Sequence, residues 1–233
     1  MISNYDELNI LPIEEPSVET SNDDYKERAV PFEEYFGEMD LTDEEKQERV
    51  TAATDFETDL LFLFILISLY QQYQITDIQN INTNVKENYT NSIVNTFKNK
   101  YKDTLSKHIE LDSYMNDYLS NFAQTTVETT LNHLDDKYYL SNDRAAYIAE
   151  NEVNTVYNYK QFIDAINSGK TTKKWIDIKD KRERKTHLKV GGKTKPIQEP
   201  FIVGDSLMQF PKDESLNADP KEIINCRCTI KYF

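Results

Sequence analysis

Two stretches near the end of the chain decide the fold: DKRERKTH at residues 180–187 and INCRCT at residues 224–229. Together they hold both cysteines, one of the three histidines and the densest group of arginines in the 233-residue chain. The segment between them contains three of the five glycines. This concentration of unusual residues predicts a compact C-terminal module with its own chemistry.

Charge is distributed unevenly along the chain, whose net charge is -14. Residues 1–50 hold 16 acidic residues against 4 basic ones, whereas residues 170–195 hold 11 basic residues against 3 acidic ones. Such polarity bears on partners and association rather than on fold. The net negative charge therefore does not exclude contact between the basic segment and nucleic acid.

The part of the chain before the module predicts an acidic arm followed by a helical domain. Residues 1–41 are acidic and lack sustained periodicity, which is typical of a largely disordered arm. Thr42 and Glu45 fit a capping box, which predicts a helix start, with a possible break further on near Val50. Residues 42–169 are predicted to be helical, because apolar residues recur at helical spacing. The clearest recurrence is Tyr89, Ile93, Phe97, Tyr101 and Leu105, followed by Leu111, Met115, Tyr118 and Phe122.

An apolar run at residues 60–67 raises the question of a membrane span. Asp59 and Gln71 bracket the run. A spanning helix needs about 20 apolar residues, and this run is roughly half that length. We therefore predict a fully buried core helix and no membrane partner.

Residues 170–233 predict a small antiparallel β-rich module, so the fold class is α+β. Gly169 suits the left-handed residue that ends the preceding helix. Short strands are predicted around Trp175, around Leu188 before the turn signal Gly191-Gly192, and at 201–203. In the closing stretch Cys226, Cys228, Ile230 and Tyr232 alternate with polar residues, as in a strand with one packed face.

The chemistry of the module has three interpretations. His187, Cys226 and Cys228 could bind zinc, with Asp180 or Asp219 as a fourth ligand, although a single Cys-x-Cys is a weak signal. A metal-dependent nuclease would use His187 as general base, positioned by Asn225, but the carboxylates nearby are sparse. The interpretation that we favour is structural: the cysteines pack inward, and ion pairs, with His187 on a buried carbonyl, brace the module. Two cysteines one residue apart cannot close a long loop, which favours a reducing place of synthesis.

The basic residues of the module form a candidate contact surface. They could bind phosphate without reading sequence, meet an acidic protein surface, or simply be solvated. The arginines Arg182 and Arg184 belong to the same segment. The lysines are Lys173, Lys174, Lys179, Lys181, Lys185, Lys189, Lys193 and Lys195.

The C-terminal pattern resembles the head-morphogenesis, or minor head protein, family typified by the F protein of bacteriophage Mu. The resemblance covers about residues 144–233 and depends on the order of its elements. These are Trp175, DKRERKTH, Gly191-Gly192, Phe201, Phe210-Pro211 with Asp213, and INCRCT. One departure lies upstream, where the family often has Ala-Arg-Thr-Glu and this chain has Ala149-Glu150-Asn151-Glu152.

The resemblance implies a structural protein of the phage head, with no catalytic residue and no cofactor. It implies few copies inside the capsid, near the portal protein and other capsid components, and contact with packaged double-stranded DNA. The protein would be made in the host cytoplasm and end in the virion. The residues that carry the structural motif are Trp175, Asp180, Arg182, Arg184, His187, Asn225, Cys226, Arg227 and Cys228. A metal-dependent nuclease and a zinc-stabilised interaction module remain the alternatives.

Overall fold

The computed structural model describes residues 30–77 and 83–233. Most of the predicted arm therefore lies outside the described residues, but its end does not: Phe32–Gly37 is a short helix, α1, rather than disordered chain. The described chain divides into two compact units. One unit contains Glu33–Arg49 and Asn151–Phe233, and the other contains Val50–Glu150. The sequence boundaries at 42–169 and 170–233 stay predictions.

The unit Val50–Glu150 is built from long helices. The bounds are Asp43–Asp77 for α2, Thr83–Leu105 for α3, Ser113–Asn132 for α4, a 3-10 turn at Lys137–Leu140, and Asn142–Asn167 for α5. Helices α2 and α5 each contribute residues to both units. The capping box is present, since Thr42 N–H donates to Glu45 Oε2 at 2.8 Å and Glu45 N–H donates to Thr42 Oγ1 at 3.2 Å. The break considered near Val50 is absent, because α2 contains neither glycine nor proline there.

The apolar run at residues 60–67 is buried on one face only. Leu60, Leu63, Phe64 and Ile67 are buried at helical spacing, whereas Ile65 is 59 % exposed. The prediction of a fully buried helix was therefore wrong for one side of α2. Among the described residues, no helix combines the length and the apolar character that crossing a membrane requires.

The aromatic stripe of α3 forms much of the core of this unit. Phe97 stacks on Tyr101 with ring centroids 5.8 Å apart, and Tyr101 packs on Phe122 of α4 at 4.9 Å. Asp112 caps α4 by accepting the Met115 N–H at 2.9 Å. Tyr89, the first member of the predicted stripe, is 41 % exposed, so the core begins one turn later.

The C-terminal module of the other unit is a small antiparallel sheet with short helices, which confirms the α+β class. Its elements after α5 are β1 (Thr172–Ile176), α6 (Lys185–Val190), β2 (Thr194–Pro196), β3 (Phe201–Val203), β4 (Ser206–Met208), α7 (Pro220–Ile223) and β5 (Thr229–Tyr232). Strand β1 is central, with β2 and β5 antiparallel on its two sides, and Trp175 lies opposite Ile230. Strands β3 and β4 form a separate hairpin around Gly204, whose φ is 61°. Gly169 ends α5 at φ 73°, as predicted.

Two predictions about this module were wrong. Leu188 and Val190 lie in helix α6, since an alternation of two apolar residues is too short to separate a strand from one helical turn. Gly191 then ends α6 by donating its N–H to His187 O at 2.9 Å, and a Cβ there would lie 2.3 Å from the Asp177 carboxyl carbon. Cys226 and Cys228 precede β5 rather than lying in it. The reason is a turn, in which Asn225 adopts φ 57° and Cys226 N–H bonds to Ile223 O.

The core of the module surrounds Trp175, which is fully buried. The Trp175 ring packs edge-on against Phe201 at 5.3 Å and against His187 at 6.0 Å. Both cysteines belong to the same cluster of buried residues. The sheet therefore places the sulfurs and the histidine inside the core.

Candidate functional site

The segments DKRERKTH and INCRCT lie against each other. Arg227 donates to Asp180 Oδ2, and Arg184 donates to Ile224 O. Partial burial alone would raise the pKa of Asp180, but the hydrogen bond and the positive charge of Arg227 lower it below the usual value. Arg182 Nη2 lies 2.9 Å from Glu38 Oε2, and Arg227 pairs with the same carboxylate. Charge-assisted contacts of this kind hold the two segments together.

Three potential metal ligands from these two segments lie close together. His187 Nδ1 lies 3.4 Å from Cys228 Sγ and 3.5 Å from Cys226 Sγ. The three ligand atoms all lie within 4.8 Å of one another. The residues are at most 2 % exposed. We name His187, Cys226 and Cys228 the sulfur–histidine cluster.

The other ring nitrogen of His187 meets a carboxylate that the sequence did not single out. His187 Nε2 lies 3.2 Å from Glu222 Oε2, and Glu222 is 3 % exposed. Thr186 Oγ1 donates to the same oxygen at 2.7 Å. Glu222 lies in α7, whose start is marked by Asp219-Pro220, a cap followed by a proline at the first helical position. That signal predicts the short helix but not the direction of its acidic side chain.

The pKa values of the two thiols in the cluster are shifted in opposite directions. Burial alone would raise the pKa of the Cys226 thiol, but hydrogen bonds with Cys228 and His187 lower it well below the usual value. The hydrogen bond with Cys226, together with burial, raises the pKa of the Cys228 thiol well above the usual value. Burial alone would lower the pKa of His187, yet its hydrogen bond to Cys226 raises it. These shifts favour the thiolate form of Cys226 over that of Cys228, and the thiolate is the form that binds metal.

The predicted fourth zinc ligands are engaged elsewhere. Asp180 pairs with Arg227, and Asp219 caps α7 and pairs with Lys221 at 2.7 Å. Glu183 contacts the cluster, with Oε1 3.9 Å from Cys228 Sγ. Among the described residues, only the three members of the cluster satisfy the mutual distances of a metal site.

Backbone carbonyls of the cysteine segment are held by two asparagines of α5 that the sequence did not reveal. Asn154 donates to Cys226 O at 2.8 Å, and Asn158 donates to Cys228 O at 3.4 Å and to Pro211 O at 3.1 Å. Their carboxamide oxygens accept from Arg49, which is fully buried. Burial lowers the pKa of Arg49 to about 10. The signal available in the sequence was two asparagines four residues apart in a predicted helix, since residues at that spacing share a face.

Asn225 does not orient His187 as a nuclease would require. Its N–H donates to Asn151 Oδ1 at 3.0 Å, and its Oδ1 accepts from Asn151 Nδ2 at 3.3 Å. Lys212 Nζ donates to the same Asn151 oxygen at 2.7 Å. Asn151 lies in the stretch Ala149-Glu150-Asn151-Glu152, and it connects the cysteine segment to Lys212.

Lysines of the predicted contact surface do not all face solvent. Lys173 is fully buried and donates to Gln209 O at 2.8 Å and to Gln209 Oε1 at 2.5 Å, so its assignment to that surface was wrong. Burial lowers the pKa of Lys173 to about 7. Lys174 and Lys195 are partly buried, and Lys195 donates to Pro200 O. The exposed lysines are Lys179, Lys181, Lys185, Lys189 and Lys193.

The exposed lysines are best ordered on α6. Lys185 and Lys189 are one helical turn apart and therefore share a face. His187 and Val190 of the same helix are buried. Helix α6 thus joins the two features of the module, since it presents lysines outward and holds the cluster histidine inward.

Comparison with known proteins identifies a family. A family model described as Phage Mu protein F like protein matches residues 83–231, which is more than half of the chain and reaches further upstream than the motif resemblance. No curated protein and no solved structure matches the chain significantly. Since the matched region contains both braced segments and the sulfur–histidine cluster, the chain belongs to the Mu F-like family of phage head morphogenesis proteins.

Proposed function

We propose that this protein is a minor head protein, present in few copies inside the capsid near the portal, which contacts packaged DNA weakly and without reading its sequence. The family match carries the proposal for the head. The exposed lysines on and around α6 support the contact with DNA. Its partners are then the portal protein, other capsid components and double-stranded DNA.

Weak rather than tight binding follows from the charges around the lysines. Two arginines of the same module, Arg182 and Arg227, already pair with Glu38. Lysine contacts with phosphate carry no sequence information, because they do not reach base edges. The affinity should therefore be low and strongly dependent on salt.

A non-enzymatic role is part of the proposal. His187, the residue that a nuclease would use as general base, is 2 % exposed. A general base must reach the proton that it abstracts, and a buried imidazole packed on Trp175 cannot approach a phosphodiester. The cluster is therefore better suited to supporting the fold than to catalysis.

Binding of fluorescent duplex DNA at several salt concentrations tests the DNA contact. The variant changes Lys181, Lys185 and Lys189 to Glu, and we expect it to lower affinity and to reduce the slope of log affinity against log salt by about 1 per lysine lost. The matched control changes Lys86, Lys102 and Lys107 to Glu, three exposed lysines of the helical unit.

Equal slopes for the two triple variants would contradict the assigned DNA surface. The duplex should stay intact when Mg²⁺ or Mn²⁺ is added. Cleavage activity that co-purifies with the protein would favour the nuclease instead. Co-sedimentation of the wild-type protein with assembled portal rings tests whether it binds the portal protein. Its absence from the portal fraction would refute the proposed portal contact.

A further inference from the structure

The sulfur–histidine cluster has the donor set of a metal site. Zinc in proteins is bound by thiolate sulfur at about 2.3 Å and by imidazole nitrogen at about 2.0–2.1 Å in a tetrahedral arrangement. That geometry separates nitrogen and sulfur ligands by about 3.5 Å. The distances from His187 Nδ1 to the two sulfurs are 3.4 and 3.5 Å.

The directions of the donor atoms also suit an ion. His187 Nδ1 faces both sulfurs, as an imidazole does beside two thiolates around one metal. Glu222 is placed to accept the proton of Nε2, which leaves a lone pair on Nδ1 directed at the sulfurs. Three buried donor atoms that point at one another suit a shared cation.

The surroundings of His187 also match those of metal-binding histidines. Such histidines usually donate their second ring N–H to a carboxylate or carbonyl, which fixes the ring and strengthens the ligand. Glu222 supplies that carboxylate, and Thr186 holds its oxygen at 2.7 Å. The indole N–H of Trp175 is buried without a hydrogen-bond partner among the described residues.

From this geometry we infer that His187, Cys226 and Cys228 bind a structural zinc ion, which Glu222 supports by holding His187. Among the described residues no fourth side chain meets these distances, and Glu183 Oε1 lies 3.9 Å from Cys228 Sγ. Because the three ligands are at most 2 % exposed, the ion stabilises the fold rather than meeting a substrate. A small module gains from such an ion, since metal binding to a folded site adds directly to folding free energy.

Metal analysis of the full-length protein, purified after expression with added zinc, is the first test. We expect about one equivalent of zinc per folded chain, and X-ray absorption should show sulfur at about 2.3 Å and nitrogen at about 2.0–2.1 Å. Folded wild-type protein with less than about a tenth of an equivalent, or with oxygen neighbours only, would overturn the inference. These measurements need no variant, so they stand even if the variants fail to fold.

Substitutions then identify the ligands and the supporting residue. Cys226→Ser and Cys228→Ser should each weaken the sulfur-to-metal charge-transfer band of the cobalt-substituted protein, and the double variant should abolish it, whereas His133→Gln, which changes an exposed histidine, should leave it unchanged. Glu222→Gln should weaken zinc binding about 10- to 100-fold and keep the cobalt spectrum. A cobalt band that survives both cysteine substitutions, or a zinc affinity unaffected by Glu222→Gln, would contradict the assignment.

Discussion

Asn154→Ala tests whether the polar lattice beside the cysteines holds the module together. The substitution removes the donor to Cys226 O at 2.8 Å and the acceptor of Arg49 Nη1 at 2.6 Å. Asn154 and Arg49 are both fully buried, so water does not readily replace these contacts.

The expected cost follows from the two groups left behind. An unsatisfied buried carbonyl costs about 1–3 kcal/mol, and a lost hydrogen bond to a charged group about 1.5–3 kcal/mol. The higher helix propensity of alanine returns about 0.5 kcal/mol. We therefore expect the free energy of unfolding to fall by about 2–5 kcal/mol.

Urea unfolding followed by the fluorescence of Trp175 measures this cost. Trp175 is the single tryptophan of the chain and lies in the core of the module. Asn167→Ala is the matched control, because Asn167 is exposed on the same helix and the same atoms are removed. The control should change stability by at most about 0.5 kcal/mol. Equal unfolding curves for the two variants would refute the reasoning.

Two further predictions concern charges in the two units. Burial, together with the charge of Glu152, raises the pKa of Glu214 from 4.5 to about 8, so the folded state holds a proton that the unfolded state releases between those pH values. The free energy of unfolding should therefore decrease as pH rises through that window, and urea titrations should show a smaller decrease for Glu214→Gln; the same decrease in both proteins would exclude this group. In the helical unit, buried Arg144 donates to Thr130 Oγ1 at 2.8 Å and to Tyr139 O at 3.0 Å. Arg144→Met should cost about 1–3 kcal/mol by circular dichroism, and exposed Lys137→Met almost nothing, so equal effects would count against the buried contacts.

Sequence reasoning succeeded where one residue type has one dominant structural use. The capping box of Thr42 and Glu45, the end of α5 at Gly169 and the buried stripe of α3 follow from local chemistry. Helix α6 could not be predicted in this way, because its six residues offer too few turns to show a period.

The candidate site was predictable in its members but not in its arrangement. Cys-x-Cys with a distant histidine signals soft ligands, yet only the fold shows that His187 Nδ1 meets both sulfurs. Glu222 gave no signal, since an acid in a helix is usually solvated. The signal for Asn154 was its spacing of four residues from Asn158, which places the two amides on one helix face. The prediction that Lys173 belongs to the contact surface was wrong, because a lysine among other lysines is ordinarily exposed. Here Gln209 accepts hydrogen bonds from its ammonium group inside the core.

The acidic and basic segments of the sequence meet in part within one unit, and these ion pairs limit the contact with DNA that we propose. Glu38 pairs with Arg182 and Arg227, and Asp40 pairs with Lys231 at 2.7 Å. The pairs Glu38–Arg182 and Asp40–Lys231 are exposed, and such pairs stabilise by only about 0–1 kcal/mol and weaken in salt. The side chain of Arg227 is only 10 % exposed. These pairs neutralise cations that a phosphate would otherwise meet, and a phosphate must displace Glu38 to reach either arginine. Binding should therefore depend on the lysines around α6, because the arginines that could make bidentate phosphate contacts are already engaged.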